Sequence, residues 1–102
     1  MNPVVEDKRD ELIQLCQRFR VHRLELFGSA VDGSFDPQTS DLDFLVEFTP
    51  LKDGEQFDAY FGLLEGLQEL FQRKIDLVQP TAMRNPYFIR RVNESRTLIY
   101  AA

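Results

Sequence analysis

Apolar residues along this chain alternate between two periods. Val5, Leu12, Leu15, Cys16 and Phe19 recur at helical spacing, with Lys8, Arg9, Asp10, Gln14, Gln17 and Arg18 largely on the other faces. That pattern predicts a helix from Glu6 to Arg20, whose early acids and late arginines suit the helix dipole. Phe57, Tyr60, Phe61, Leu64, Leu67, Leu70 and Phe71 mark a second amphipathic helix from Phe57 to Phe71. Gly62 and Gly66 stand four apart on it, each costing about 1 kcal/mol relative to Ala. A close-packed face would account for them, and so would a weak helix. Four apolar runs read as strands: Leu24–Phe27, Asp41–Phe48, Arg73–Val78 and Thr97–Tyr100. The second is apolar almost throughout after Asp43, as expected of a strand buried on both faces. Asn85 followed by Pro86 is a helix start, a capping side chain before a first-turn proline.

The order strand, long helix, strand from Asp41 to Val78 predicts a crossover between parallel neighbours. The expected fold class is therefore α/β. A small mixed β-sheet carries helices Glu6–Arg20 and Phe57–Phe71 on one face, and Thr97–Tyr100 lies at an edge. The 102 residues suit one domain over 1–102, with 43% apolar residues and nine Phe to fill a core.

Composition narrows the classes. No stretch approaches the ~18 apolar residues of a membrane span. The N-terminal residues lack the regions of a signal peptide, so the expectation is cytoplasmic. Cys16, alone of its kind, cannot form an internal disulfide, and its place on an apolar helix face predicts a buried thiol. His22 is the one histidine, which argues against zinc. Residues 1–72 carry six basic and fifteen acidic side chains, residues 73–102 six and two. An acidic body disfavours binding along nucleic-acid backbones, so no direct nucleic-acid contact is expected. On charge alone the basic last third reads first as ordinary solvated surface, and next as a face for phosphates or an acidic partner.

The chemistry concentrates between Leu24 and Val46. Leu24–Phe27 runs into Gly28-Ser29, and Asp41 and Asp43 open the next strand. Strand residues two apart share a face, so these carboxylates could jointly hold a hard cation such as Mg²⁺. Asp76 is placed to complete the site, if its strand neighbours the second, or to act as a base. Gly28 allows close backbone approach, and Ser29 offers a hydroxyl and an amide to a phosphate oxygen. No twelve-residue EF-hand loop and no Ser/His/Asp arrangement is present.

These residues resemble the nucleotidyltransferase superfamily with its polymerase-β-like fold: Gly-Ser, a loop, Asp-x-Asp, then a third acid in a later strand. The small size and the ending Met83-Arg84-Asn85-Pro86-Tyr87-Phe88 resemble the minimal nucleotidyltransferase (MNT) group. That resemblance implies an antitoxin of a HEPN/MNT toxin–antitoxin system. Such a protein transfers AMP from ATP to a tyrosine of a HEPN-domain ribonuclease toxin encoded by an adjacent gene. It implies ATP as substrate, Mg²⁺ (two ions), a hetero-oligomer with the toxin and no membrane. Gly28 and Ser29 would bind the triphosphate, and Asp41, Asp43 and Asp76 would be catalytic and metal-binding. An antitoxin acting by binding alone, or a transferase acting on a small molecule, are the competing readings. Two features depart from the group pattern. Eleven residues, rather than ten, separate Ser29 from Asp41, and Asp32 stands before Gly33 where many relatives carry arginine. A carboxylate there repels phosphate, and Arg84, Arg90 or Arg91 could supply the missing charge.

Overall fold

The computed structural model describes residues 2–32, 36, 38 and 40–102, and for Asp32 the backbone alone. The elements in chain order are α1 (Pro3–Glu6), α2 (Arg9–Arg18), β1 (Val21–Phe27), α3 (Ser29–Asp32), β2 (Leu42–Phe48), α4 (Glu55–Phe71), β3 (Ile75–Val78), a 3₁₀ turn (Pro80–Ala82), α5 (Pro86–Ser95) and β4 (Thr97–Ala101). The strands form one sheet in the order β3-β2-β1-β4. β1 runs antiparallel to β2 and β4, and β2 runs parallel to β3. The α/β class, the mixed sheet, the parallel pair across the long helix and the edge position of the last strand all hold.

The expected helix from Glu6 to Arg20 is two helices. Asn2 caps α1 by accepting from the Val4 amide at 2.9 Å, and Pro3 occupies the first helical position. Lys8 leaves helical geometry at φ −113°, and α2 begins at Arg9. The apolar period hides this break because Val5, in α1, still reaches the same core as Leu12 and Cys16. Arg20, in left-handed geometry at φ 59°, ends the segment. β1 then starts at Val21, earlier than the apolar run suggests, because Val21 is buried and pairs with Phe48.

The sheet has two unlike faces. Leu24 and Leu26 of β1, Leu42, Phe44 and Val46 of β2, and Ile75 and Leu77 of β3 form the main core with Leu12 and Cys16 of α2 and Leu63, Leu67 and Phe71 of α4. Cys16 is buried, as expected, and burial pushes its thiol up to about 12. Here the two glycines find their reason. A Cβ on Gly66 would lie 2.7 Å from Leu15 Cδ2, and one on Gly62 would overlap the Phe19 ring. The missing side chains therefore let α4 close onto α2, which favours the close-packed face over the weak helix.

The opposite face is thinly covered. Phe27, Leu45 and Val92 form a smaller cluster with Val78 and Met83 beneath α5. Asn85 caps α5, accepting from the Tyr87 and Phe88 amides at 2.9 and 3.3 Å. Between α5 and the sheet the packing stops short, and a cleft opens.

Candidate active site

Alternation along three strands places the polar residues of this second face. Asp43 and Leu45 of β2, Asp76 and Val78 of β3, and Glu25 and Phe27 of β1 all point away from the main core. The parallel register sets Asp43 directly beside Asp76. The two carboxyls are close enough to act on each other. Asp43 is pushed up to about 7, first by burial, then by Asp76 and by the charge of Asp41, with Lys74 opposing. Two carboxylates side by side cannot both ionise cheaply, so the pair retains a proton where no cation is supplied.

Gly28 ends β1 at φ 76°, a left-handed conformation that favours glycine. A Cβ there would also stand 2.6 Å from Asp43 Oδ2. The Gly28-Ser29 turn and the Asp43–Asp76 pair are thus in contact across adjacent strands. Both line a cleft of about 710 Å³, together with Tyr60, Phe88, Arg91 and Ser95. Tyr60 on α4 donates its hydroxyl to the Leu77 carbonyl at 2.5 Å, which seats the cleft wall against β3.

Of the five site residues expected from sequence, Gly28, Ser29, Asp43 and Asp76 line this cleft. Asp41 does not. It precedes β2 and meets Lys74 at 3.8 Å across an exposed gap. Its charge still acts on Asp43. Among the described residues, no three His, Cys, Asp or Glu side chains are grouped as metal ligands. The donor set nonetheless suits a hard divalent cation. Mg²⁺ takes one or two carboxylates and completes its shell with water and substrate phosphate, and a carboxyl pair that retains a proton is a place where such a cation displaces it. The Asp32 side chain and Gly33 lie outside the described residues.

Tyr60, Phe88 and Ser95 were not foreseen as cleft residues. Tyr60 reads as an apolar stripe position, Phe88 as part of the ending that resembles the family, and a serine at the end of a helix carries no sequence signal. Ser95 Oγ accepts a hydrogen bond from the Gly28 amide at 2.9 Å, across 67 residues of chain. That bond ties the end of α5 to the glycine turn.

Comparisons with known proteins bear on the family and the fold. The profile of the nucleotidyltransferase domain family matches residues 10–99. A protein of Methanocaldococcus jannaschii named "Putative protein adenylyltransferase MJ1379" is 33% identical over 86 residues, 84% of this chain and 82% of its own. A second from that organism, "Putative protein adenylyltransferase MJ0128", is 35% identical over 86 residues, with the same coverage of 84% and 82%. A solved structure of a "putative minimal nucleotidyltransferase" superposes with a TM-score of 0.70 at 26% identity, over 91% of this chain and 90% of that one. A chain of a solved complex, "tri-AMPylated Shewanella oneidensis HEPN toxin in complex with MNT antitoxin", shares the fold at a TM-score of 0.62, 18% identity and coverage of 95% and 72%. The chain belongs to the nucleotidyltransferase domain family, and within it to the minimal nucleotidyltransferases.

Proposed function

We propose that this nucleotidyltransferase moves AMP from ATP, with Mg²⁺, onto a tyrosine hydroxyl of a partner HEPN ribonuclease and thereby silences it. The observation that carries the reading is the Asp43–Asp76 pair, set by the β2–β3 register against the Gly28-Ser29 turn in one cleft. Support for ATP and for a protein acceptor comes from relatives named as protein adenylyltransferases and from a fold shared with a toxin–antitoxin complex holding AMP-PNP, at a TM-score of 0.66 and 20% identity.

Each residue has a task in this reading. Gly28 gives the triphosphate room to approach the backbone, and Ser29 offers its hydroxyl to a phosphate oxygen. Asp43 and Asp76 in the cleft, joined by Asp41 if it turns in from its long, exposed pair with Lys74, are the residues that would hold Mg²⁺, which would supply charge neutralisation at the transferring phosphoryl group and the departing pyrophosphate. Asp76, exposed at the cleft mouth, is the group positioned to take the proton of the attacking hydroxyl. The cleft opens to solvent, where the surface of a protein acceptor would complete the site.

The test is the intact mass of a HEPN-domain partner co-expressed with this chain or with its Asp41→Asn/Asp43→Asn variant. Steps of one AMP with the native chain alone support transfer. Co-purification without a mass change would replace transfer with neutralisation by binding.

A further inference from the structure

The active-site cleft is lined mainly by acidic and apolar side chains, and a triphosphate entering it brings several negative charges. Among the described residues that line it, Arg91 carries the one positive charge. No ion pair among the described residues engages its guanidinium. The other arginines nearby are committed elsewhere. Arg84 donates to the Thr81 and Met83 carbonyls, Arg73 to the Ser40 carbonyl, and Arg96 to Glu25. Arg90 is exposed away from the cleft lining. Three candidates for the charge missing beside Gly33 thus reduce to one.

Its position is held at both ends. Ser95, four residues on and so on the same helix face, accepts from the Gly28 amide at 2.9 Å and donates to the Arg91 carbonyl at 3.3 Å. Phe88, three residues back, packs edge-on against Phe27 with centroids 5.9 Å apart. The stripe Phe88–Arg91–Ser95 is therefore pinned to β1, and Arg91 is the cationic member of a cleft wall that also carries Glu94, across from Asp43 and Asp76.

We propose that Arg91 binds the pyrophosphate portion of the nucleoside triphosphate, with Ser95 as the positioning residue that registers α5 for it. The inference rests on the reading of this cleft as a nucleotide site. A guanidinium with no partner among the described residues can fork onto two phosphate oxygens. The α-phosphate belongs beside the carboxylates, so a cation on the facing wall meets the phosphates that leave.

The experiment is calorimetric titration of the native protein and the Arg91→Ala, Arg91→Lys and Arg84→Ala variants with ATP and with AMP, both in Mg²⁺. Arg91→Ala is expected to weaken ATP about tenfold or more and AMP less than twofold, with Arg91→Lys between and Arg84→Ala like the native chain. Thermal melts confirm that the variants fold; Arg91 is exposed, and Arg91→Lys provides a milder second variant. Equal ATP affinity in native and Arg91→Ala proteins overturns the assignment of Arg91 and leaves the nucleotide site standing. Equal losses for ATP and AMP also overturn it, since the pyrophosphate would not be the group recognised. A native chain that binds neither nucleotide overturns the reading of the cleft itself, and this inference with it.

Discussion

Glu25 and Asp43 lie on adjacent strands of the same sheet face, and their surroundings differ sharply. Glu25 is only 4% exposed, yet it is fully served. Arg96 Nε and Nη2 donate to its two oxygens at 2.7 and 2.6 Å, and Arg23 Nε adds a bond of 2.9 Å. The Arg96 hydrogen bond, opposed by burial and aided by Arg23, holds its carboxyl below the usual range. Asp43 has no arginine. It faces Asp76 and is pushed up instead. Among the described residues no cation forms an ion pair with Asp43 or Asp76, although the charge of Lys74 reaches Asp43 from a distance and Arg91 stands across the cleft. Glu25 is a carboxylate finished by the protein, a bolt between β1 and the α5–β4 junction. Asp43 is the carboxylate that the proposed Mg²⁺ would complete.

The strongest way to break that contrast is to remove the incomplete pair. Asp41→Asn with Asp43→Asn is expected to abolish transfer, and Asp76→Asn to lower kcat by about 10²–10⁴, with both variants still folded in thermal melts. Measurable transfer by the double variant would sink the metal assignment.

Removing the finished pair should act on stability. Arg96→Ala leaves Glu25 charged and nearly buried, and is expected to cost about 1–3 kcal/mol in urea unfolding at pH 7. A depressed folded-state pKa means that the contribution is present above the ordinary value of 4.5 and fades as pH falls through the lower folded value. The gap between native and Arg96→Ala should therefore narrow below about pH 4.5. A gap that widens there contradicts the assignment of the charge to Glu25.

Asp43→Asn should have the opposite sign. The raised carboxyl means that the native chain loses stability as pH climbs from about 4 toward 7, where the folded state must surrender a proton the unfolded state has already lost. Half-burial lets water screen the cost, so the variant gains roughly 1 kcal/mol at pH 8 without divalent cation and little at pH 4. Added Mg²⁺ or Mn²⁺ should raise the Tm of the native chain and not of the variant. The smallest effect belongs to Lys74→Ala. Its pair with Asp41 is long and exposed, so stability should change by less than about 0.5 kcal/mol.

Much of this was legible in the sequence because it depends on period. The spacing of Asp41 and Asp43, the apolar run after them and the strand around Asp76 place three carboxylates near one end of a mixed sheet without coordinates. What escaped was contact between distant segments. Nothing local ties Ser95 to Gly28, Arg96 to Glu25 or Tyr60 to the Leu77 carbonyl. The break at Asp7–Lys8 was hidden because Val5 keeps the apolar rhythm across it. Gly62 and Gly66 were visible but undecided, since their reason lies in Leu15 and Phe19 on another helix. Asp41 shows the limit of spacing alone. It shares a side with Asp43 along the chain, yet it stands outside the strand and leans toward Lys74.

The alignment of Asp43 with Asp76 also decides where this chain can change length over evolutionary time. One residue inserted or deleted between Lys74 and Ile75 would turn β3 over, carrying Ile75 and Leu77 into the cleft and Asp76 into the core. The same event between Gln79 and Asn85 would cost little more than loop entropy. Descendants of this protein are free to vary the connection into α5, while the stretch that feeds Ile75–Val78 is held to a fixed count.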